Sequence, residues 1–252
     1  MFSQLSCFPL SLPISSHWRR RASDRRRKQR DPQQRLVCLN VCHGVSAPCQ
    51  HDGESANLSR FLSPEGRCYS FDDRAEGYGR GEGVGCIMLK PLEHALRDRD
   101  TIRAIVRNTG SNQDGKTPGI TFPSGDAQTA LIRSVYAKAG LNPSETAYVE
   151  AHGTGTQAGD PIEAGALSAV FGKSRPEGDR LRIGSVKSNL GHLEGASGVA
   201  GLIKSVLMLE NRVFLPSRNF VNPNKSIPLD QWGLQVGPCS FPENLSRTNA
   251  VL

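Results

Sequence analysis

Tyr148-Val149-Glu150-Ala151-His152-Gly153-Thr154-Gly155-Thr156, followed closely by Gly159-Asp160-Pro161-Ile162-Glu163, decides how this chain folds. It opens as a short strand over 148–151, breaks at a glycine-rich turn carrying a histidine, and re-enters regular structure as a helix. The helix start is strongly marked: Asp160 as an N-cap acceptor, Pro161 at the first helical position and Glu163 as an acid in the first turn. Ile162, Ala166, Leu167 and Val170 then fall on one face, and Gly172 ends it. The same plan returns downstream. Residues 181–186 read as a strand, Lys187-Ser188-Asn189-Leu190-Gly191-His192 as a loop, and 194–210 as a helix. That helix opens on Gly195, Ala196, Ser197, Gly198, Ala200 and Gly201, residues small enough to let another backbone approach, so a central position is expected.

Outward from these two units, a third helix is expected over 124–139, where Ala127, Leu131, Ile132, Val135 and Ala139 recur at helical spacing and Gly140 stands as the C-cap. The run Gly83-Val84-Gly85-Cys86-Ile87-Met88-Leu89, bounded by glycines and Pro91, suits a buried strand. Residues 101–107 place Ile102, Ala104 and Val106 on one strand face, and Asn112-Gln113-Asp114-Gly115 is a turn signal. Alternating strands and helices imply an α/β architecture, a sheet covered on both faces.

The formal charge of +7 is unevenly spread. Residues 1–56 hold nine Lys/Arg, most of them between Arg19 and Arg30, and four Asp/Glu, so the remaining 196 residues carry a surplus of only two positive charges. A near-neutral body argues against a nucleic-acid surface, which needs a concentrated cationic field. No apolar stretch approaches the roughly 20 residues that a membrane-crossing helix requires. Residues 1–56 are Ser/Pro-rich and then Arg-rich, with no period of 2 or 3.6, and are expected to be disordered. An import patch or an organelle transit peptide is a weaker alternative for this head. Seven cysteines in no paired spacing suit reduced thiols in the cytoplasm. Cys38, Cys42, His43 and Cys49 resemble a zinc-ligand list, but a second pair at finger spacing is missing.

The chemistry is expected where strands end, the crevice in which open α/β sheets bind ligands. His152 and His192 each follow a strand, each beside glycines, which would let a thin substrate chain come close. Neutral imidazoles presenting N–H groups to one carbonyl oxygen would stabilise an enolate, and Lys187 would favour negative charge there and hold the imidazoles neutral. A phosphate loop would need Gly-x-x-x-x-Gly-Lys-Ser/Thr, which is absent. A metal site would need a third ligand, for which only Asp160 or Glu163 offers itself.

Residues 149–156 with 159–163 resemble the first histidine motif of polyketide-type β-ketoacyl synthases, and Ile183-Gly184-Ser185-Val186-Lys187-Ser188-Asn189-Leu190-Gly191-His192 resembles the second. Arg60-Phe61-Leu62-Ser63-Pro64-Glu65-Gly66-Arg67-Cys68, Gly77-Tyr78-Gly79-Arg80-Gly81-Glu82-Gly83 and residues 112–115 resemble further segments of that family, in the expected order. The likeness spans 57–236 and is closest in flavour to fungal highly reducing enzymes. It implies a thiolase-like α/β fold, of which 57–100 would end the N-terminal half and 101–236 form most of the C-terminal half. Residues 1–56 would then be a head foreign to the domain, even a misread gene start, and 237–252 a tail.

By the same resemblance, His152 and His192 would bind the carbonyl of a malonyl thioester and promote decarboxylation, with Lys187 in support. Thr154 and Thr156 would hydrogen-bond a phosphopantetheine arm. The partner would be an acyl carrier protein bearing acyl and malonyl groups. No metal or bound cofactor is implied. Complete enzymes of the family are homodimers, a state in doubt for this chain. The family's nucleophile, a cysteine in a Thr-Ala-Cys-Ser-Ser setting ahead of the Phe-Leu-Ser-Pro region, has no counterpart in this sequence. Cys49, in Ala47-Pro48-Cys49-Gln50, is the nearest upstream thiol and has the wrong neighbours. Cys68 and Cys86 fall where packing roles are expected. The chain is thus expected to lack complete condensing activity, and a non-catalytic carrier-protein-binding or scaffolding module is the alternative.

Overall fold

Thr146–Glu150 and Leu181–Gly184 lie side by side and parallel, with Val149 opposite Ile183 and Glu150 opposite Gly184. The computed structural model describes residues 61–119, 122–172, 175 and 178–237, together with the backbone of Gln4–Cys7, Pro9–Ser11 and Asn249–Val251. In chain order the strands are β1 (Gln4–Cys7), β2 (Pro9–Ser11), β3 (Ile105–Val106), β4 (Gly110–Gln113), β5 (Thr146–Glu150), β6 (Leu181–Gly184), β7 (Leu234–Gln235) and β8 (Asn249–Val251). The helices are α1 (Leu92–Asp98), α2 (Gly125–Ala139), α3 (Gly159–Leu167), α4 (Lys187–Leu190) and α5 (Ser197–Asn211). Six strands form one sheet in the order β3-β2-β8-β5-β6-β7, and β1 pairs with β4 in a separate ribbon. From β8 to β7 the sheet is parallel, whereas β2 runs antiparallel to both β8 and β3.

Every residue of β5 is buried, as a strand covered on both faces must be. On one side α2 and α3 close a core of Phe71, Leu131, Val135, Tyr136, Phe171 and Leu181. On the other, Tyr148 packs with Leu202, Met208 and Leu209 of α5 and with Phe214. Each such side chain contributes roughly 1.5–3 kcal/mol through burial. The helix signals in 124–139 act as expected: Ser124 accepts the Ala127 N–H through its side chain, and Gly140 closes the C-terminus at a φ of 63°. Helix α3 passes into a wider π turn over Ser168–Gly172, so Gly172 does mark the end of that helical segment.

Four expectations need correction. Residues 83–89 form no strand; the backbone is extended and its side chains alternate, with Val84 and Met88 59% and 93% exposed. Gly83 and Gly85 lie against Leu193 and against Val199 of α5, so one side of the segment packs on the protein while the other is uncovered. In 101–107 only Ile105 and Val106 pair, and Val106 faces solvent. The signal at 112–115 holds only in its second part: Asn112 and Gln113 belong to β4, and the turn falls at Asp114-Gly115, where Gly115 has a φ of 71°. In the head, Gln4–Cys7 and Pro9–Ser11 are paired strands rather than structureless chain, and in the tail Asn249–Val251 enters the main sheet between β2 and β5. Backbone pairing needs no side-chain period, so nothing in those residue types announced it. The arginine cluster and the Cys38, Cys42, His43 and Cys49 group lie outside the described residues.

Candidate active site

Because β5 and β6 are adjacent and parallel, the loops that leave their C-terminal ends emerge together. The rings of His152 and His192 stand 5.5 Å apart, edge to face at 84°. The convergence expected from sequence is therefore present in the geometry.

Each loop is held by groups distant in sequence. Glu163 accepts the backbone N–H of His152 at 2.7 Å and of Gly153 at 2.8 Å. Asp160 does not cap its own helix, whose N-cap is Ala158. Its carboxylate instead accepts from Phe71 at 2.7 Å, Gly155 at 3.1 Å and Thr156 at 3.3 Å, tying the glycine turn to the 69–72 segment. Burial pushes the Asp160 carboxyl up to about 7 against the pull of those N–H groups, and also raises that of Glu163. Both carboxylates are thus committed to backbone, and among the described residues no group of three His, Cys, Asp or Glu is placed to hold a metal ion.

The second histidine is seated like a strand residue. Its N–H donates to the Gly79 carbonyl at 2.7 Å, its carbonyl accepts from Gly81 at 3.0 Å, and its ring lies 5.0 Å from that of Tyr78. A Cβ at Gly81 would stand 2.2 Å from the Leu190 carbonyl oxygen, which gives the Gly-x-Gly-x-Gly run at 77–81 a physical reason. The glycines near the histidines also let the protein's own backbone come close: a Cβ on Gly191, at a φ of 76°, would meet the Arg80 carbonyl oxygen at 2.6 Å. A Cβ on Gly155, at a φ of 80°, would meet the Tyr69 backbone nitrogen at 2.6 Å, so this position admits the 66–80 segment of the protein.

His192 Nδ1 accepts the Glu194 N–H at 3.0 Å. A neutral ring bonded in this way carries its proton on Nε2, which leaves that N–H as the donor. Desolvation lowers the His192 pKa to about 4, with help from Lys187. His152 retains an exposed edge, yet the protein packed around it, then Lys187 and then His192, push its pKa well below the usual imidazole value. Lys187 itself is buried, and burial lowers its pKa while Glu163 and Glu150 act to raise it. Thr154 and Thr156 lie on the same turn with hydroxyls 3.3 Å apart, Thr154 buried and Thr156 half-buried.

Beside the pair opens a cleft of about 820 Å³ lined by Arg67, Arg80, Lys187 and Arg218 with Asn189, and by no carboxylate. Cys68 lines it too, 1% exposed, its thiol donating to the Gly79 carbonyl at 3.5 Å and its pKa raised by burial. That is a packing thiol, as expected. Cys86 is exposed instead, on the uncovered face of residues 83–89. Cys49 is outside the described residues. Sequence reasoning did not single out Tyr78, Arg80, Glu150 or Lys204. A lone lysine in the otherwise apolar run 199–209 was the one available signal among them.

Two family models match the chain: the β-ketoacyl synthase N-terminal domain over residues 38–95 and the C-terminal domain over 103–221. The first begins inside the stretch read above as foreign, so the likeness extends upstream of Asn57. The chain is 61% identical over 207 residues to the highly reducing polyketide synthase tstA of Talaromyces stipitatus, covering 82% of the chain and 8% of that protein. It is 64% identical over 182 residues to the reducing polyketide synthase PKS1 of Cochliobolus heterostrophus, covering 71% and 7%. Among solved structures, the module 6 ketosynthase of the Bacillus subtilis bacillaene synthase superposes with a TM-score of 0.68 at 40% identity, covering 80% of this chain and 36% of that one. An oxazolomycin ketosynthase domain from Streptomyces albus gives 0.69 at 38% identity, covering 73% and 33%. The chain spans less than a tenth of the curated relatives and about a third of the ketosynthases. With two ordered family matches, this identity and a shared fold, it belongs to the β-ketoacyl synthase family, in the branch of fungal highly reducing polyketide synthases.

Proposed function

We propose that this site performs the decarboxylating half of a ketosynthase reaction. A malonyl thioester loses carbon dioxide, and the electron pair of the broken C–C bond forms an enolate whose oxygen receives hydrogen bonds from His152 and His192. Protonation at carbon then yields the acetyl thioester. The observation carrying this reading is the pair of imidazoles at 5.5 Å, the second with its proton directed to Nε2. Lys187 keeps the local potential positive, and Thr154 and Thr156 line the turn that would receive the phosphopantetheine arm of a cytoplasmic acyl carrier protein. No cysteine stands in the family's nucleophile setting, so no acyl chain is parked and no carbon–carbon bond forms.

The cationic cleft favours a second reading, a module that binds a carrier protein without turnover, since its lining holds Arg67, Arg80 and Arg218, of which Arg80 pairs with Glu194, together with the buried Lys187, and no carboxylate, a balance that attracts an acidic partner. Turnover separates the two. If the imidazoles are the donors, their contribution to decarboxylation of malonyl pantetheine by the full chain stays in place from neutral pH down to about pH 5 and is lost only toward pH 4, where protonation at His192 Nδ1 breaks the bond from the Glu194 N–H that orients the ring. Its lowered pKa keeps the donor neutral over that range. Asp160 can itself give a step near 7, so the discriminating result is a step near the ordinary histidine pKa of about 6.5 that persists in Asp160→Asn; that persistence, or no turnover at all, would contradict the decarboxylase reading.

A further inference from the structure

Glu150 ends β5 two residues before His152, and its carboxylate contacts three residues, one on its own strand and two on other segments. One oxygen accepts the Val186 N–H, immediately ahead of Lys187. The other accepts the Tyr148 hydroxyl at 2.6 Å and pairs with Lys204 of α5 at 2.7 Å. Lys204 also donates to the Tyr148 hydroxyl at 2.9 Å. All three side chains are buried, between 2% and 7% exposed.

The position of Val186 explains what such a group can do. The ladder between the two histidine-bearing strands reaches Glu150 opposite Gly184, followed by an Ala151 N–H to Gly184 carbonyl bond at 2.7 Å. Beyond it β6 departs into α4, and the Val186 N–H, in a buried residue, has passed the end of the sheet. Glu150 supplies the acceptor from the neighbouring strand. That bond sets the spacing between the chain entering His152 and the chain entering Lys187 and His192. Tyr148 and Lys204 hold the carboxylate from the opposite side and so prevent it from swinging. An ion pair is a poor means of attaching α5 to the sheet, because desolvating both charges consumes most of their attraction and apolar side chains would serve as well. Apolar side chains cannot hold an N–H.

We propose that Glu150, with Lys204 and Tyr148, is a positioning strut that sets the separation of the two histidine loops, a role that rests on the decarboxylase reading for its consequence in turnover. Three variants of the full chain test it. Lys204→Met alone leaves a buried carboxylate unpaired and should be the least stable of them. The apolar double variant Glu150→Leu with Lys204→Met should regain stability relative to that single change. It should nevertheless lose the nuclear Overhauser contact between the His152 and His192 rings, and its decarboxylation should fall about a hundredfold, as expected for misplaced catalytic groups. The double variant Glu150→Gln with Lys204→Met restores an acceptor to Val186 without charge and should recover both the ring contact and the rate. An apolar double variant with ring contact and rate intact would overturn the proposal, as would a glutamine variant no better than the leucine one. Should the wild-type chain fail to decarboxylate while the ring contacts follow this order, the strut stands and the functional reading falls.

Discussion

Replacing His152 or His192 with alanine is expected to lower malonyl-thioester decarboxylation by about 10²–10³-fold. On the proposed reading each change removes one N–H donor to the enolate oxygen, in a site where desolvation and Lys187 lower the pKa of both imidazoles. The fold should tolerate both. The backbones of the two residues are held by Glu163 and by Gly79, and the one bond to a ring that is lost is that from the Glu194 N–H to His192 Nδ1, so His192→Ala should be the less stable of the two. Carbon dioxide release at saturating malonyl pantetheine measures the loss, and thermal unfolding controls for folding. Because the two donors serve one oxygen, the double variant should be little worse than either single one. A fully active His152→Ala chain would remove that ring from the chemistry.

Glu163→Ala should be the most damaging substitution for stability near the site. It strips the acceptor from two backbone N–H groups, that of His152, which keeps an exposed edge, and that of Gly153, which is buried. A buried donor left unsatisfied costs about 1–3 kcal/mol, and urea unfolding should show a loss of about that size. Glu163→Gln, which keeps one acceptor oxygen, should fall between alanine and wild type. Equal stability of all three chains would mean that Glu163 does not anchor the loop.

What could be read from the sequence was what is decided locally. Ser124 and Gly140 bracket α2 because a cap needs only its own turn. The turn carrying His152 was placed correctly because strand, glycine and helix start follow one another within about a dozen residues; the segment before His192 was not, since β6 ends at Gly184 and Lys187–Leu190, read as loop, forms the short helix α4. What escaped depends on partners far along the chain. Asp160 looked like an N-cap, yet its oxygens go to the Gly155 and Thr156 turn and to Phe71, 89 residues away. Lys204 looked like one charge on an apolar helix until Tyr148, 56 residues earlier, appeared beside it. Residues 83–89 have the composition of a strand but no ladder partner among the described residues, and composition does not supply one.

The central claim, decarboxylation without condensation, is tested most directly by incubating the full chain with malonyl and acyl pantetheine thioesters and following both products and protein by mass spectrometry. The account predicts carbon dioxide and acetyl thioester, no β-ketoacyl product, and no acyl adduct on Cys49, Cys68 or any other cysteine. A β-ketoacyl thioester accompanied by an acylated Cys49 would contradict it.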